Sequence, residues 1–556
     1  MRRLFPKSSG LAISLLFFAS ALAAQKKAPA LPSAALAEQH YQKGLRAVQK
    51  QDWVTATREL RLTLQSAPKS PPAHNSLGWV YLQTGRLDEA VVEFRKAIAL
   101  EPQFAEAYYN MGGALELRRD LDGAITFYQG ALKFRPDWPE AHLALGNILG
   151  HRGNLLGARD EFEAAVKRAP NAPEPHCRLG VAYWLLHDYA GAAAQLRSAL
   201  DLRPDYAEAH HYLGMVYQEQ GKAEEAINEF QAAARLDAKS AEIQNTLGMA
   251  LQHADYLADA AAAFRRAIGL DPRLTDAHNN LGLVMLNQGD AEGAIREFQA
   301  ALQTDPHFYS ARNNLGLAYL QKGQWEDAIA TFRGLLALQP NDAEAYYNLG
   351  VALKQKEDFD GAIAALRRAI EAQPDLPEAH YTLGVIFWQQ GKLDEAGHEF
   401  QAAIRAKPDY QRAHYILGSV LRQKGDLDAA LQELRTSLRL DPDDAGAHQA
   451  LGMALRQKGD VPGAAEEFHK AEVLNKQKMN VQAATLATNT GAKQLRQGDV
   501  AGSIRQFQTA LQLAPDYAPA HFQLALALRQ KGDAAQAQAE FDKAHQLDPH
   551  LRPPRD

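Results

Sequence analysis

Cysteine is almost absent from this chain of 556 residues. Cys177 is the single example, so an internal disulfide, a zinc site built on cysteines and an iron–sulfur cluster are excluded. The chain also lacks a Gly-rich phosphate loop, a His-Glu-x-x-His motif, a Gly-x-Ser-x-Gly motif and a dinucleotide fingerprint. We therefore expect a protein that is not an enzyme and that needs neither a cofactor nor a metal.

An excess of positive charge is also missing. The formal net charge is −6 and the sequence pI is about 6.4, which gives no reason to expect a nucleic-acid partner. Hydrophobic residues make up 46% of the chain and charged residues 23%, which is typical of a folded protein and excludes a largely disordered one. No apolar run after the first 23 residues is long enough to span a membrane.

The N-terminus has the pattern of a secretory signal peptide. Residues 1–23 combine three positive residues, the short apolar run Leu11–Leu22 and small residues before a cleavage point near Ala23–Ala24. The Ala-, Pro- and Lys-rich residues 24–36 then predict a flexible tether. We expect export to the bacterial periplasm or the cell exterior, with a signal retained as a membrane anchor as the alternative.

The rest of the chain is organised by a period of 34 residues. Glycine recurs at this spacing from Gly44 to Gly452, and after a five-residue insertion the series resumes at Gly491. Fifteen repeats result, and we number them from Ala37 with the glycine at position 8. The expected divisions are the signal peptide 1–23, the tether 24–36, thirteen repeats in 37–478, the insertion 479–483, two repeats in 484–551 and the tail 552–556.

Four positions carry the identity of the repeat. Position 8 is small, position 20 is Ala in fourteen repeats, position 24 is aromatic in eleven and position 32 is Pro in thirteen. Representative residues are Gly78, Ala90, Phe94 and Pro102. This pattern resembles the tetratricopeptide repeat. The resemblance implies an all-α fold, a right-handed superhelical solenoid of helix–turn–helix units.

Physical chemistry supports two helices in each repeat. Helix A, roughly positions 1–14, ends at a glycine in ten repeats, for example Gly85, which suits a left-handed C-terminal residue. Helix B follows an N-cap-competent residue such as Asp290, and the proline at position 32 ends it. A single pair of helices cannot bury its apolar face, so neighbouring repeats must stack.

The resemblance also implies that positions 2, 5, 6, 9, 12 and 13 of helix A line a concave groove. Asparagines at position 6, including Asn110, resemble the asparagine ladder in the repeat arrays of O-linked N-acetylglucosaminyltransferases, which holds an extended peptide backbone. A carboxamide suits that role because it both donates and accepts hydrogen bonds. The candidate groove residues are Asn279, Asn280, Asn313, Asn314, Tyr347, Asn348, Lys354, Gln355, Tyr381, Trp388, Gln389, Tyr415, Arg422 and Gln423.

Two further columns of the repeat are interpreted as structural. Histidine recurs at position 4, for example at His380, but equivalent residues one helix-packing distance apart, about 8–10 Å, are too distant to share a metal ion. We expect these histidines to pack in the layer of A helices. Position 2 is acidic in most repeats, as at Glu344, which favours the start of a helix; an acidic rim that selects basic partners is the alternative.

The period breaks after repeat 13. Lys476 stands where proline is expected, five extra residues follow, and Ala464–Thr488 contains neither Pro nor Gly. We expect a lengthened helix or a bent connection here, with few contacts across it, because five residues rotate a helix by about 500°. A bulge with normal packing on both sides is the alternative.

These observations predict a non-catalytic scaffold that binds protein partners, as extended peptide segments, in its concave groove. One alternative is a structural subunit of a bacterial envelope complex for polysaccharide export or outer-membrane assembly, since Trp388 and its polar neighbours also suit a sugar. The other is a regulatory array that acts with a separate glycosyltransferase chain. Only Arg552–Asp556 follow the last repeat, which leaves no room for a catalytic domain in the sequence given.

Overall fold

The computed structural model describes residues 32–549 and Leu551, and this part of the chain contains 29 α-helices and no β-strand. The predicted signal peptide, most of the predicted tether and the tail 552–556 lie outside the described residues. The chain divides into two compact units after Leu270, which we name the N-terminal unit and the C-terminal unit. Each unit is a stack of helix–turn–helix repeats, so the predicted all-α solenoid is confirmed.

The N-terminal unit begins with a helix that is longer than the repeat requires. Helix α1 starts at Pro32, so it includes residues 32–36, which the sequence pattern assigned to the tether. The helices of this unit are α1 (Pro32–Gln49), α2 (Trp53–Ser66), α3 (Pro71–Gln83), α4 (Leu87–Leu100), α5 (Ala105–Leu117), α6 (Leu121–Phe134), α7 (Pro139–His151), α8 (Leu155–Arg168), α9 (Pro173–Leu185), α10 (Tyr189–Leu202), α11 (Ala207–Glu219), α12 (Ala223–Leu236), α13 (Ala241–His253) and α14 (Leu257–Leu270).

The C-terminal unit continues the alternation of A and B helices and contains one helix of unusual length, α26. Its helices are α15 (Thr275–Asn287), α16 (Ala291–Thr304), α17 (Tyr309–Lys322), α18 (Trp325–Leu338), α19 (Ala343–Gln355), α20 (Phe359–Ala372), α21 (Pro377–Gln389), α22 (Leu393–Ala406), α23 (Gln411–Lys424), α24 (Leu427–Leu440), α25 (Ala445–Lys458), α26 (Val461–Arg496), α27 (Val500–Leu513), α28 (Ala518–Lys531) and α29 (Ala534–Leu547).

Within a repeat, the two helices meet where position 8 faces position 24. A Cβ atom placed on Gly282 would lie 2.6 Å from Cε1 of Phe298, and the ring of Phe298 is fully buried. Contact this close leaves no room for a side chain at position 8 unless the ring moves. The predicted close approach of helix A and helix B is therefore confirmed, and it explains the 34-residue period of glycine.

The turn between helix A and helix B uses two local devices. At position 16, Asp290 caps helix B, because its side chain accepts a hydrogen bond from the backbone N–H of Gly293 at 2.8 Å. At position 15, Gly391 has a φ of +73°, the left-handed conformation that closes helix A. Five repeats adopt positive φ at position 15 without glycine, so the turn itself imposes this conformation: Gln51, Arg119, His187, Asp255 and Glu357.

The histidines at position 4 pack between the helices, and they also form side-chain hydrogen bonds. Nδ1 of His380 lies 2.7 Å from Oε2 of Glu399 at position 23, and its Nε2 lies 3.1 Å from the backbone oxygen of Pro374. Both ring nitrogens face acceptors, so the protonated imidazolium can donate to both. The carboxylate bond recurs as His40–Glu59, His74–Glu93, His142–Glu161, His210–Glu229, His278–Glu297, His414–Glu433, His448–Glu467 and His521–Glu540, and Gln195 replaces the carboxylate beside His176.

Repeats 13 and 14 are joined by the single helix α26. At its start, Gly452 of α25 packs against Phe468; near its end, Gly491 packs against Phe507 of α27. Between these contacts, ten of the twelve residues 472–483 are exposed. The expected lengthened helix is confirmed. The chain does not turn back after helix B of repeat 13, because no proline or glycine stops the helix there.

We predict that trypsin, within residues 32–549, cuts first after Lys476 or Lys478. Opening this part of α26 breaks backbone hydrogen bonds but little tertiary packing, so local unfolding needs less free energy than elsewhere. Mass spectrometry of the first fragments measures the position, and the double variant Lys476→Gln/Lys478→Gln should lose the early cut. A first cut inside any other repeat would contradict this prediction.

The histidine pairs predict a fall in stability at alkaline pH. Hydrogen bonding to Glu297 raises the pKa of His278, and hydrogen bonding to Glu399 raises the pKa of His380. The stabilisation from each pair is complete below the unfolded histidine pKa of about 6.5 and is lost as pH rises through the raised folded pKa.

The Glu399→Gln variant tests one pair directly. Its melting temperature should lie below that of the parent chain at pH 6, and the gap should narrow towards pH 9, where the parent histidine is neutral. Melting curves at pH 6, 7, 8 and 9 measure the gap. A gap that stays constant over this range would show that His380 stabilises the repeat without a charge.

Candidate functional site

Positions 5 and 6 of successive A helices bond to each other across repeat boundaries. In the C-terminal unit, Nδ2 of Asn314 donates to Oδ1 of Asn279 at 2.9 Å, and Nδ2 of Asn348 donates to Oδ1 of Asn313 at 3.0 Å. The N-terminal unit repeats this arrangement, since Nδ2 of Asn110 donates to Asn75 at 3.0 Å. The asparagines therefore connect one repeat to the next.

These bonds between repeats limit how many of the predicted asparagine carboxamides remain accessible to a ligand. Asn279 and Asn348 are only 8% and 6% exposed. Both the oxygen and the nitrogen of the Asn313 amide have partners, because its Oδ1 accepts from Asn348 and its Nδ2 donates to Glu344 at 3.1 Å. In a separate contact, Nδ2 of Asn279 lies 3.5 Å from Oδ1 of Asn280. The structure brings the predicted asparagines together. Their carboxamides bond to one another or to Glu344, and Asn280, Asn313 and Asn314 are half-buried.

The three predicted tyrosines are half-buried at position 5. The ring of Tyr381 lies 5.2 Å from that of Tyr410 and 5.7 Å from that of Phe400, and Tyr347 hydrogen-bonds to Thr382 in the next repeat. Burial raises the pKa of Tyr347, Tyr381 and Tyr415 and raises that of Tyr410 to about 12. These phenols are therefore neutral near pH 7. The ring of Tyr381 packs within its own repeat, whereas Tyr347 bonds to the next one.

Tyr410 was missed by the sequence interpretation because it lies at position 34, in the connection between repeats. The signal was present, since position 34 also holds an aromatic residue at Phe104, Trp138, Tyr206, Phe308 and Tyr517. In the N-terminal unit, Trp138 lies 4.5 Å from the ring of Tyr109 at position 5. A residue at position 34 thus covers the residue at position 5 of the same repeat.

The accessible part of the candidate site lies at the ends of the A helices, at positions 12 and 13. Gln355, Gln389 and Gln423 are exposed and occupy equivalent places in repeats 10, 11 and 12. Trp388 is half-buried, and its Nε1 donates to Oε1 of Gln423 at 3.1 Å. The resulting row presents carboxamide groups beside an indole ring, with hydrogen-bond capacity directed outwards.

Two cations flank this row, and both are half-buried. Lys354 precedes Gln355, and Arg422 precedes Gln423. Among the described residues, Nε of Arg422 is a buried donor without a hydrogen-bond partner. The row therefore has positive charge at position 12 in repeats 10 and 12. Position 2, at the opposite end of the same helices, is acidic in repeats 10 and 11, at Glu344 and Glu378, but is Arg412 in repeat 12.

The N-terminal unit contains a partly buried ion pair that the sequence interpretation also missed. Arg178 is 7% exposed at position 6 of repeat 5, and its Nη1 lies 2.6 Å from Oε1 of Glu208. Its neighbour Cys177 is fully buried, and burial raises the pKa of this thiol to about 12. Cys177 is thus a protonated core residue near pH 7, not an exposed nucleophile.

The part of the chain that the structure describes contains neither a grouped metal site nor a membrane-spanning helix. There, no three His, Cys, Asp or Glu side chains are grouped closely enough to hold a metal ion. No helix in residues 32–549 combines the length and the apolar character needed to cross a membrane.

Two of the most similar solved structures cover most of this chain at low sequence identity. The crystal structure of yeast Tom70 is 16% identical, covers 76% of this chain and 96% of its own, and has a TM-score of 0.36. The Cut9 chain of the APC/C hetero-tetramer Cut9–Hcn1 is 17% identical, covers 88% of this chain and 96% of its own, and has a TM-score of 0.35.

A third structure is shorter. The crystal structure of MamA is 29% identical, covers 31% of this chain and 94% of its own, and has a TM-score of 0.29. No curated protein sequence matches the chain.

Family models match nearly all of the repeat region. The model of the C-terminal domain of cilia and flagella-associated protein 70 matches residues 104–308 and 276–487, together more than half of the chain. A TPR repeat model matches residues 78–117, and a tetratricopeptide repeat model matches residues 493–551. Repeats of this type build scaffolds for protein interaction. With the 34-residue period and the packed helix pairs, these matches show that the chain belongs to the tetratricopeptide-repeat family.

Proposed function

We propose that this protein is a non-catalytic scaffold and that its C-terminal unit binds an extended peptide segment of a partner protein. The binding surface is the row at positions 12 and 13 of repeats 10–12, which we name the glutamine row: Lys354, Gln355, Trp388, Gln389, Arg422 and Gln423. The observation that carries the proposal is the exposure of three glutamines at equivalent positions in consecutive repeats.

Regular spacing suits an extended chain. Each exposed carboxamide can donate to a backbone carbonyl and accept from a backbone N–H, which recognises a peptide without depending on its sequence. Trp388 adds an aromatic surface of the kind that dominates many interfaces. Lys354 and Arg422 favour a segment that carries carboxylates, because a charge-assisted hydrogen bond is stronger than a neutral one.

The asparagines and tyrosines have a supporting role in this proposal. Asn279, Asn313 and Asn348 connect repeats, and Tyr381 packs against Phe400 and Tyr410. The asparagine bonds fix the relative positions of successive A helices, and those positions determine the spacing of the glutamines. We therefore place ligand contact at the ends of the helices rather than at positions 5 and 6.

We predict that Trp388→Ala weakens peptide binding at least fivefold, about 1 kcal/mol. Twelve-residue peptides selected from a random display library on the full chain provide the ligands, and fluorescence anisotropy provides the affinity. The matched control is Trp325→Ala, which removes another half-buried tryptophan of the same unit from the start of helix α18. It should leave affinity unchanged.

Circular dichroism must show equal helicity for both variants. Equal affinity of the Trp388 variant and the parent chain would contradict the assignment of the glutamine row. Equal losses in both variants would indicate a general change in the repeat stack, and this result would also count against the row.

A glycan is the second candidate ligand, and it rests on the same pair of features, an indole ring beside exposed carboxamides. In that case the protein serves an envelope complex that handles polysaccharide, or regulates a separate glycosyltransferase. An oligosaccharide array probed with the full chain separates the two ligands. Binding that depends on Trp388 and is confined to sugars would replace the peptide by a glycan.

We further propose that the scaffold works outside the cytoplasm of a bacterium. The proposal rests on the n-region, apolar run and small residues within residues 1–23, which lie outside the described residues. We predict a mature N-terminus near Ala24 in protein purified from its native host. N-terminal sequencing measures it, and native protein that retains residues 1–23 would contradict cleavage and favour the alternative of a retained membrane anchor.

A further inference from the structure

Phe468 is unusual among the residues at position 24. In the other fourteen repeats this residue is at most 3% exposed, but Phe468, in repeat 13, is only half-buried. Its own repeat is otherwise normal, since a Cβ on Gly452 would lie 2.7 Å from the Phe468 ring. The exposure therefore comes from something missing on the other side of the ring.

The other repeats show what is missing. After helix B the chain normally turns back, and the residue at position 34 packs on position 5, as Tyr410 packs on Tyr381. Helix A of the following repeat then packs against helix B, as α23 packs against α22 and α25 against α24. In repeat 13 the chain continues as α26 instead, so neither the turned-back residue nor a following A helix covers this place.

An open groove remains, with a volume of about 630 Å³. Its lining includes the residues at positions 5, 24, 27, 28 and 31 of repeat 13, followed by a methionine one turn further along α26. They are Gln449, Phe468, Ala471, Glu472, Asn475 and Met479. Met479 is 68% exposed, although it continues the same face of the helix.

We propose that this groove, which we name the α26 groove, binds an amphipathic α-helix of a partner protein that takes the place of a following A helix. The packing of helix B against helix A of the next repeat, which recurs along the array, indicates what kind of segment fits this groove. It is a helix with small and aliphatic residues on one face, preceded by a bulky apolar residue that covers the Phe468 side of the groove. Helix-in-groove recognition of this kind reads residues spaced by three and four positions.

The residues found at position 28 indicate that the partner helix binds reversibly. This position is apolar in thirteen repeats; the exceptions are Glu472 in repeat 13 and His545 in repeat 15, the last of the array. Polar outer faces keep the ends of repeat arrays soluble. The polar Glu472 therefore lets this face of repeat 13 remain exposed to water when no partner is bound. Glu472 and Lys476 at the rim favour a helix with a cation and a carboxylate at matching places.

A peptide from this chain provides the probe. Residues 410–424 contain Tyr410 and the whole of α23, the bulky residue and A helix that cover repeat 11. A helix-stabilised, fluorescein-labelled peptide of this sequence is titrated with the full chain, because a free peptide of this length is only marginally helical. A peptide of the same composition in scrambled order is the control ligand.

Two charge-matched double variants locate the binding. Asn475→Arg/Met479→Arg places charge and bulk on exposed positions in the groove, and Val473→Arg/Gln477→Arg places the same two arginines on exposed positions of α26 outside it. We expect the first variant to weaken peptide binding at least tenfold and the second to change it less than twofold. Bound peptide should also slow hydrogen exchange in the backbone around Phe468.

Three results would overturn the proposal. They are affinity weaker than about 1 mM for both peptides, equal affinity for the scrambled peptide, and equal effects of the two double variants. Sedimentation of the full chain without peptide tests a second copy as occupant. Self-association that the groove variant abolishes would replace the heterologous partner by another copy of this chain.

Discussion

The structure depends on one close contact, the approach of helix A to helix B where position 8 faces position 24. At Gly384 the space for a Cβ is already occupied by the ring of Phe400, 2.9 Å away. Because glycine lets the two helices pack this closely, the ring becomes fully buried and each repeat presents the same two faces to its neighbours. The stacking of repeats within each unit follows from this local geometry.

Hydrogen bonds then fix how one repeat lies on the next, and they determine which side chains remain for a ligand. Asparagines at position 6 donate to position 5 of the preceding repeat, and histidines at position 4 bridge position 23 and the carbonyl of the preceding proline. These positions are satisfied inside the stack. At the ends of the A helices, Nε1 of Trp388 donates to Oε1 of Gln423, yet Gln355, Gln389 and Gln423 all stay exposed.

Much of the fold could be predicted from the sequence because each requirement of the repeat selects one residue type. A close approach selects glycine at Gly384, a helix start selects aspartate at Asp290, and the missing proline near Lys476 predicts the long helix α26. The site was harder to predict. A pattern of asparagines shows their chemistry but not their partners, and in the structure Asn348 binds Asn313 rather than facing an open surface.

One missed interaction left a signal that could have been read. Every repeat with histidine at position 4 has glutamate or glutamine at position 23, and no repeat has glutamate there without the histidine. This covariation indicates a direct pair such as His380–Glu399. The exposure of Phe468 left a weaker signal, the polar Glu472 at position 28, because it depends on where the chain goes after the repeat ends.

The same substitution at two glycines of repeat 11 tests the role of the contact between positions 8 and 24 most directly. Gly384→Ala adds a methyl group at the contact with Phe400, and Gly397→Ala adds one where no atom lies within 4 Å. We predict that the first lowers the melting temperature and costs about 1–3 kcal/mol. The second should raise the melting temperature by the equivalent of about 0.5–1 kcal/mol, because alanine favours a helix interior. Equal shifts, or no loss at Gly384, would contradict the claim that this contact sets the fold.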